Sequence, residues 1–77
     1  MVREFRSNDK GKTVVTKAGD EIGTVERISG DMAYVKPMQN LSNRVRQRLG
    51  WEDEEDTYEL KHSKVTEFDD DEIHIRN

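Results

Sequence analysis

Short runs of β-branched and aromatic residues, separated by pairs of glycine and aspartate, form the clearest pattern along the chain. They fill residues 14–37, where Gly19-Asp20 and Gly30-Asp31 divide three apolar runs. Runs bounded by turn residues about every eight to twelve positions are typical of a small antiparallel meander. The pattern predicts three strands, at residues 12–16, 22–28 and 32–36.

The second of these strands departs from simple alternation. Its apolar residues fall at Ile22, Val25 and Ile28 instead of at every second position. A β-bulge near Gly23 would insert one extra residue and restore the pattern, and bulges are also how small barrels bend. Pro37 lacks the backbone donor of a central strand, so the third strand should end there.

One segment, residues 38–51, has helical periodicity. Its apolar side chains recur every fourth residue and form a narrow stripe of Leu41, Val45 and Leu49. Asn40 or Ser42 can cap the start of this helix, and Gly50 suits a left-handed backbone conformation at its end. We therefore predict a single short helix between the third and fourth strands.

The second half of the chain predicts three more strands around two acidic segments. Residues 52–56 are all acidic and too charged to be buried, which indicates an extended loop. Residues 69–71 are three aspartates that form a charged turn. Apolar and polar residues alternate at 57–61 and 73–76, which predicts strands, and another short strand is expected at 65–68.

These elements predict an all-β fold, a small six-stranded barrel with one short helix inserted between strands 3 and 4. Residues 1–10 are polar and form an irregular lead-in, with Phe5 packed against the barrel, and residues 11–77 form the barrel domain. With 77 residues, of which 31% are hydrophobic and 39% charged, the chain can bury only a small core. Closing the sheet or pairing with a second copy would help, so dimerisation is expected.

Composition and charge exclude several kinds of site and indicate what kinds of partner the protein can attract. The chain has no cysteines, which excludes disulfides, thiolate nucleophiles and cysteine metal sites. No apolar run approaches the roughly 20 residues of a membrane span, and the first residues lack a signal-peptide pattern, so a cytoplasmic protein is expected. Residues 1–50 carry a net charge of +4 and residues 51–77 one of −8. This asymmetry can steer partners or draw copies together, unless folding mixes the two halves.

Few residues offer catalytic or metal-binding chemistry. His62 and His74 are the only histidines, and neither comes with a serine motif or a phosphate-cradling glycine loop, so an enzyme is not expected. His74 lies between two apolar residues of the last strand and should point to solvent. The acidic residues 69–72 lack the ligand spacing of an EF-hand, and a solvated turn is the simpler interpretation. No metal and no cofactor are predicted.

The predicted helix offers the best candidates for a binding surface. Arg44 and Arg48 flank one edge of the apolar stripe and could dock an acidic partner or a phosphate backbone, although a solvated helix face is an equal alternative. Arg46 points away from the stripe and is expected to be solvated. Trp51 follows the helix end, and both a core and an interface position stay open, since tryptophan and arginine dominate binding hot spots.

Two parts of the chain resemble a known family. Gly11–Val15 and Ala18–Val25 combine a strand, a glycine turn and Ile-Gly-x-Val, while Thr57–Leu60 and Asp71–Arg76 supply closing strands. In their order and spacing these motifs resemble PRC-barrel domains over nearly the whole chain. The helix ending in Arg48–Trp51, with the acidic loop after it, resembles the stand-alone archaeal versions, which include the cell-division PRC-barrel proteins.

The resemblance implies a non-enzymatic adaptor of archaeal cell division, a homo- or heterodimer that binds the SepF-like membrane anchor of the FtsZ ring, a paralogous barrel, or both. Such a protein would be cytoplasmic, without membrane insertion of its own, and would reach the division site through its partner. The alternative is an RNA- or ribosome-associated barrel in RNA processing or ribosome maturation, although the acidic second half disfavours nucleic acid. The predicted partner-binding residues are Leu41, Arg44, Val45, Arg48, Leu49 and Trp51.

Overall fold

The computed structural model describes residues 3–53 and 55–76. Within them, the six strands are β1 (Thr13–Val15), β2 (Glu21–Ser29), β3 (Met32–Pro37), β4 (Tyr58–Lys61), β5 (Val65–Phe68) and β6 (Glu72–Ile75). One helix, α1 (Asn43–Leu49), lies between β3 and β4, and 3-10 turns cover Ser7–Asp9 and His62–Lys64. Each predicted strand is present, and its bounds differ from the prediction by at most one residue.

The strands form one mixed sheet in the order β4-β3-β2-β1-β6-β5. Neighbouring strands pair antiparallel, except that β1 and β6 run parallel. β4 and β5 lie at opposite edges of the sheet, yet the turn His62–Lys64 joins them directly, so the sheet must curl to bring these edges together at one corner. The result is a curled half-barrel, which confirms the predicted small all-β fold with one helix between strands 3 and 4.

The second strand bends at the predicted bulge. Its pairing with β1 shifts between Val14 and Val15, which leaves Ile22 as an extra residue on β2. Glycine is required at position 23, because a Cβ on Gly23 would overlap the backbone carbonyl of Lys36 on β3. The bulge therefore changes the pairing of β2 with β1, while the missing side chain of Gly23 lets β3 approach β2 closely at its other edge.

Apolar side chains from both halves of the chain fill the interior. The apolar residues with 0% exposure are Val14, Ile22, Ala33, Val35 and Ile73. Because β1 belongs to the basic half of the sequence and β6 to the acidic half, their pairing places the two halves side by side. Lys12 Nζ, for example, donates a hydrogen bond of 2.8 Å to the carbonyl oxygen of Asp69. Folding thus brings part of the basic half of the chain next to part of the acidic half, which reduces the charge asymmetry seen in the sequence.

Residues 3–12, which we call the N-terminal strap, begin at the corner where β4 and β5 meet and continue to β2, where the backbone N–H of Gly11 donates to the carbonyl oxygen of Val25 at 2.8 Å. Phe5 is buried as predicted, and its ring meets those of His62 and Phe68 edge to face at centroid distances of 5.5 and 5.6 Å. The guanidinium of Arg3 lies 4.1 Å from the centroid of the Phe68 ring. His62 Nε2 donates to the carbonyl oxygen of Arg3. The segment predicted as an irregular lead-in is therefore in close contact with the barrel.

The strap is held by a buried carboxylate that the sequence does not reveal. Asp9 has 0% exposure, and its two oxygens accept bonds of 2.9 and 2.8 Å from the guanidinium of Arg3. The backbone N–H of Arg6 donates to the same carboxylate at 2.8 Å, and Lys12 Nζ lies 3.0 Å from it. The hydrogen bonds from Arg3 are the largest cause holding the pKa of Asp9 well below its usual range, and with the Arg6 and Lys12 contacts they outweigh the opposing effect of burial.

Candidate partner-binding surface

The helix α1 is short but fixed at both ends. The Ser42 hydroxyl accepts a bond of 3.3 Å from the backbone N–H of Val45, and Gly50 ends the helix with φ of 77°. The backbone N–H of Trp51 then donates to the carbonyl oxygen of Arg46 at 2.8 Å. These are the caps that the sequence predicted. No helix in the described part of the chain is long and apolar enough to cross a membrane.

The apolar stripe of α1 faces the barrel. Val45 and Leu49 on α1, and Leu41 two residues before the helix begins, are half-buried and pack against the hydrophobic core. Since a helix of seven residues is marginal on its own, this packing accounts for much of its stability. The stripe is therefore largely covered by the protein itself, and only its solvent-facing edge can contact a partner.

Trp51 lies in the core, which decides between the two positions that the sequence left open. It is 7% exposed, and its indole stacks on the Tyr58 ring with the centroids 4.6 Å apart and the planes 9° from parallel. The Tyr58 hydroxyl accepts from the backbone N–H of Glu55 at 3.3 Å and donates to the carbonyl oxygen of Asp53. The stacked pair thus fastens both the helix end and the following loop to β4.

The expectation that Arg46 is solvated is wrong. This side chain is half-buried, and its Nη2 donates to the Tyr58 hydroxyl at 3.0 Å and to the carbonyl oxygen of Asp53 at 3.5 Å. The helical wheel places Arg46 away from the apolar stripe, but the chain reverses after Gly50 and brings the loop against that side of the helix. Arg46 is therefore part of the anchor that holds α1, and not part of its free surface.

Arg44 and Arg48 occupy the solvent side of the helix. Together with two exposed uncharged neighbours they form a surface that we call the basic face, which consists of Asn43, Arg44, Gln47 and Arg48. The two arginines are one helical turn apart, and neither forms an ion pair within the residues that the structure describes. Of the six residues predicted to bind a partner, these two are the ones that the fold leaves exposed.

The loop that follows α1 carries the opposite charge. Its described residues are exposed and acidic: Glu52, Asp53, Glu55 and Asp56. Tyr58 and Arg46 both bond to the backbone of Asp53, so the loop is held against the helix that carries the basic face. A positive helix face beside a negative loop gives this end of the molecule a polarity that can orient an approaching charged surface.

The histidines have different surroundings. His62 packs between Phe5 and Phe68 and bonds to the backbone of the strap, so its contacts are structural. The prediction that His74 points to solvent is only partly right: the side chain is 30% exposed, and its Nε2 lies 2.8 Å from Asp69 Oδ2. With Glu72, these two residues form a group in which each member offers a metal-ligand atom.

A model of a family of unknown function, DUF8593, matches residues 5–75. The match begins inside the N-terminal strap and ends with the last residue of β6, so it includes every strand of the half-barrel and the whole of α1. No curated protein and no solved structure gives a significant match. The chain belongs to the DUF8593 family.

Proposed function

We propose that this protein is a non-enzymatic interaction module that binds an acidic surface of a protein partner through the basic face of α1. The observation that carries the proposal is the state of Arg44 and Arg48, both exposed and without an acidic partner among the residues described. Guanidinium groups match carboxylates with paired hydrogen bonds, and arginine is enriched in binding hot spots. Two such groups on one helix face suit a partner that presents clustered aspartate or glutamate.

The way α1 is held supports this role. Its solvent side projects from a helix whose far side is fixed by the Trp51–Tyr58 stack and by the bond from Arg46 to Tyr58. A surface that is rigid before binding loses less conformational entropy when the partner docks. In this proposal Trp51 acts as an anchor beneath the surface and makes no direct contact.

The apolar residues of the stripe have a secondary part in the proposal. Leu41, Val45 and Leu49 are half-buried, so each keeps some surface at the rim of the basic face. Apolar groups beside a pair of arginines would exclude water from the charged contacts and strengthen them. Arg44 and Arg48 then set orientation, while the stripe edge adds buried area.

The resemblance to archaeal PRC-barrel proteins suggests which partners to test first. These are the SepF-like membrane anchor of the FtsZ ring and a paralogous barrel protein, and the role would be that of a cell-division adaptor. We accordingly propose a cytoplasmic protein that is recruited to the division site through its partner. We also propose a dimer, with a second copy or with a paralogue, because β4 and β5 are the edge strands of the sheet and an edge strand can pair with another chain.

An RNA- or ribosome-associated role is the alternative, and it would use the same arginines on phosphate. The acidic loop Glu52–Asp56 lies directly after the basic face and would repel a phosphate backbone. The described aromatic rings near α1 are also stacked on each other instead of being free to stack on bases. These observations favour a protein partner.

The proposal is tested by calorimetric titration of the full chain against the purified SepF-like anchor and the paralogous barrel, at about 50 and about 500 mM salt. Binding should weaken with salt, because exposed charges are screened. The charge reversal Arg44→Glu with Arg48→Glu should weaken it by at least about tenfold.

The matched control is Lys17→Glu with Lys64→Glu, which makes the same change in net charge at exposed positions outside α1. It should alter affinity by less than about twofold. Equal losses for the two double variants, or binding that ignores both, would refute the assignment of the basic face. Saturable, salt-dependent binding to RNA that is lost only with the arginines would favour the alternative role.

A further inference from the structure

We propose that the outer face of the β5–β6 hairpin is a binding site for one divalent cation of the zinc type, held by Asp69, Glu72 and His74. The donor atoms of the three side chains all lie within 4.8 Å of one another. His74 Nε2 is 2.8 Å from Asp69 Oδ2 and 3.5 Å from Glu72 Oε1. Ligands at roughly 2.1 Å from a zinc ion lie about 3.0 to 3.4 Å apart, so small side-chain rotations suffice to surround an ion.

The hairpin backbone brings these donors to one face. Glu72 and His74 are two residues apart on β6, so both project from the side opposite to the buried Ile73. Asp69 lies across the turn, where its backbone N–H donates to the carbonyl oxygen of Glu72 at 2.8 Å. The site is therefore positioned by strand pairing and not by a free loop.

A fourth oxygen donor follows from the strand register. Glu67 on β5 pairs with His74 on β6. Directly opposed residues place their side chains on the same face with Cβ atoms about 5 Å apart. Glu67 is exposed and can turn toward the ion, which would complete a set of one imidazole and three carboxylates.

The donor chemistry selects the class of ion. Calcium and magnesium prefer oxygen ligands only, whereas an imidazole suits zinc and its first-row neighbours. An imidazole with two or three carboxylates therefore points to the second group. The turn also borders an open cleft of about 520 Å³, lined by Thr13 and Phe68 with residues 69–72, which leaves room for water to fill remaining coordination positions.

The cation also has an electrostatic effect. Four consecutive acidic residues, 69–72, crowd a tight turn, and their mutual repulsion opposes its closure. A bound divalent ion would offset this repulsion and stabilise the folded state by mass action. None of the proposed ligands lies on α1, so the metal site and the partner-binding surface can be tested separately.

The test is a calorimetric titration of the full chain with Zn²⁺ alone, followed by NMR of the two histidine side chains. We expect saturable binding of one ion per chain, with the His74 imidazole signals moving and those of His62 staying in place. His74→Gln and Glu72→Gln should each weaken binding by at least about tenfold. An equal concentration of Ca²⁺ should not displace the zinc.

Asp70→Asn is the matched control, since it removes one charge from the same turn without touching a proposed ligand, and it should change affinity by less than about twofold. Absence of saturable binding would overturn the proposal. So would a loss with Asp70→Asn as large as that with Glu72→Gln, because it would indicate diffuse attraction to an acidic turn. Binding of half an ion per chain with a shift to a heavier species would assign the ion to a contact between copies instead.

Discussion

The indole of Trp51 lies flat on the ring of Tyr58, with the two centroids 4.6 Å apart. This contact joins the end of α1 to the edge strand β4, although the two residues are separated by an acidic loop. The Tyr58 hydroxyl then bonds to Arg46 on the helix and to the backbone of the loop. One aromatic pair thus determines where α1 sits and which of its arginines remain free.

Removal of the indole should destabilise the whole protein. We expect Trp51→Ala to lower the free energy of unfolding by about 3 to 4 kcal/mol, as truncation of a buried aromatic usually does. Tyr58→Phe keeps the stack but loses the hydroxyl bonds, and should cost only about 1 to 2 kcal/mol. Urea unfolding followed by circular dichroism measures both. A cost for Trp51→Ala below about 1 kcal/mol would show that the indole is not part of the core.

The stripe of α1 should behave as core. Leu49→Asp places a charge where the structure packs a half-buried leucine, so we expect a loss of about 2 to 3 kcal/mol in the free energy of unfolding. Gln47→Asp on the exposed side should cost less than about 0.5 kcal/mol. If Leu49→Asp instead left stability intact and only weakened self-association, the stripe would be a contact between molecules.

The buried carboxylate of Asp9 predicts a pH dependence. Because its folded-state pKa is lowered, its contribution to stability is present at neutral pH and is lost as pH falls below the ordinary value of about 3.9 toward the folded-state pKa. Asp9→Asn should cost about 3 kcal/mol at pH 7, since it leaves Arg3 and Lys12 without their partner. The difference between variant and parent should shrink below about pH 4.

Asp20→Asn provides the comparison for Asp9, because Asp20 is exposed and its side chain makes no bond within the described residues. Thermal melts between about pH 2.5 and 7 should show nearly the same pH profile for Asp20→Asn and the parent. A difference between Asp9→Asn and the parent that stays constant with pH would contradict the role given to the carboxylate.

The small core and the edge strands β4 and β5 lead us to expect self-association. Analytical ultracentrifugation should show a species heavier than the 9.0 kDa monomer, or such a species should form when a paralogous barrel is added. Neither heavier species is expected if the half-barrel is stable as a monomer. A monomer at high concentration, with or without the paralogue, would refute dimerisation.

Much of the fold is readable in local patterns. The alternation of residues 73–76, the irregular spacing around Gly23 and the caps Ser42 and Gly50 each have a local physical cause, so the sequence predicts them correctly. The helical pattern wrongly predicts a solvated Arg46, because its partner Tyr58 lies on β4. Helical periodicity carries no information about that contact.

The contacts of Asp9 and His74 also depend on the fold, but the sequence gives a signal for only one of them. A buried aspartate in a polar segment looks like any exposed one, and only the fold reveals that Arg3 and Lys12 converge on it. For His74 a signal exists: an Asp, a two-residue turn, and a Glu two positions before a His place three candidate ligands on one hairpin face. Reading residues 69–74 as a hairpin, and not as a string of charges, would have found the group.

The central claim, that the basic face of α1 binds an acidic protein surface, is tested most directly by site-specific photocrosslinking in the native cell. A photoreactive amino acid at position 47, between the two arginines, should form an adduct with a protein peptide rich in aspartate and glutamate, whether from another protein or from a second copy. The adduct should vanish with Arg44→Glu and Arg48→Glu and be absent with the probe at position 17. No adduct at position 47, an adduct with RNA, or one that survives the charge reversal would contradict the account.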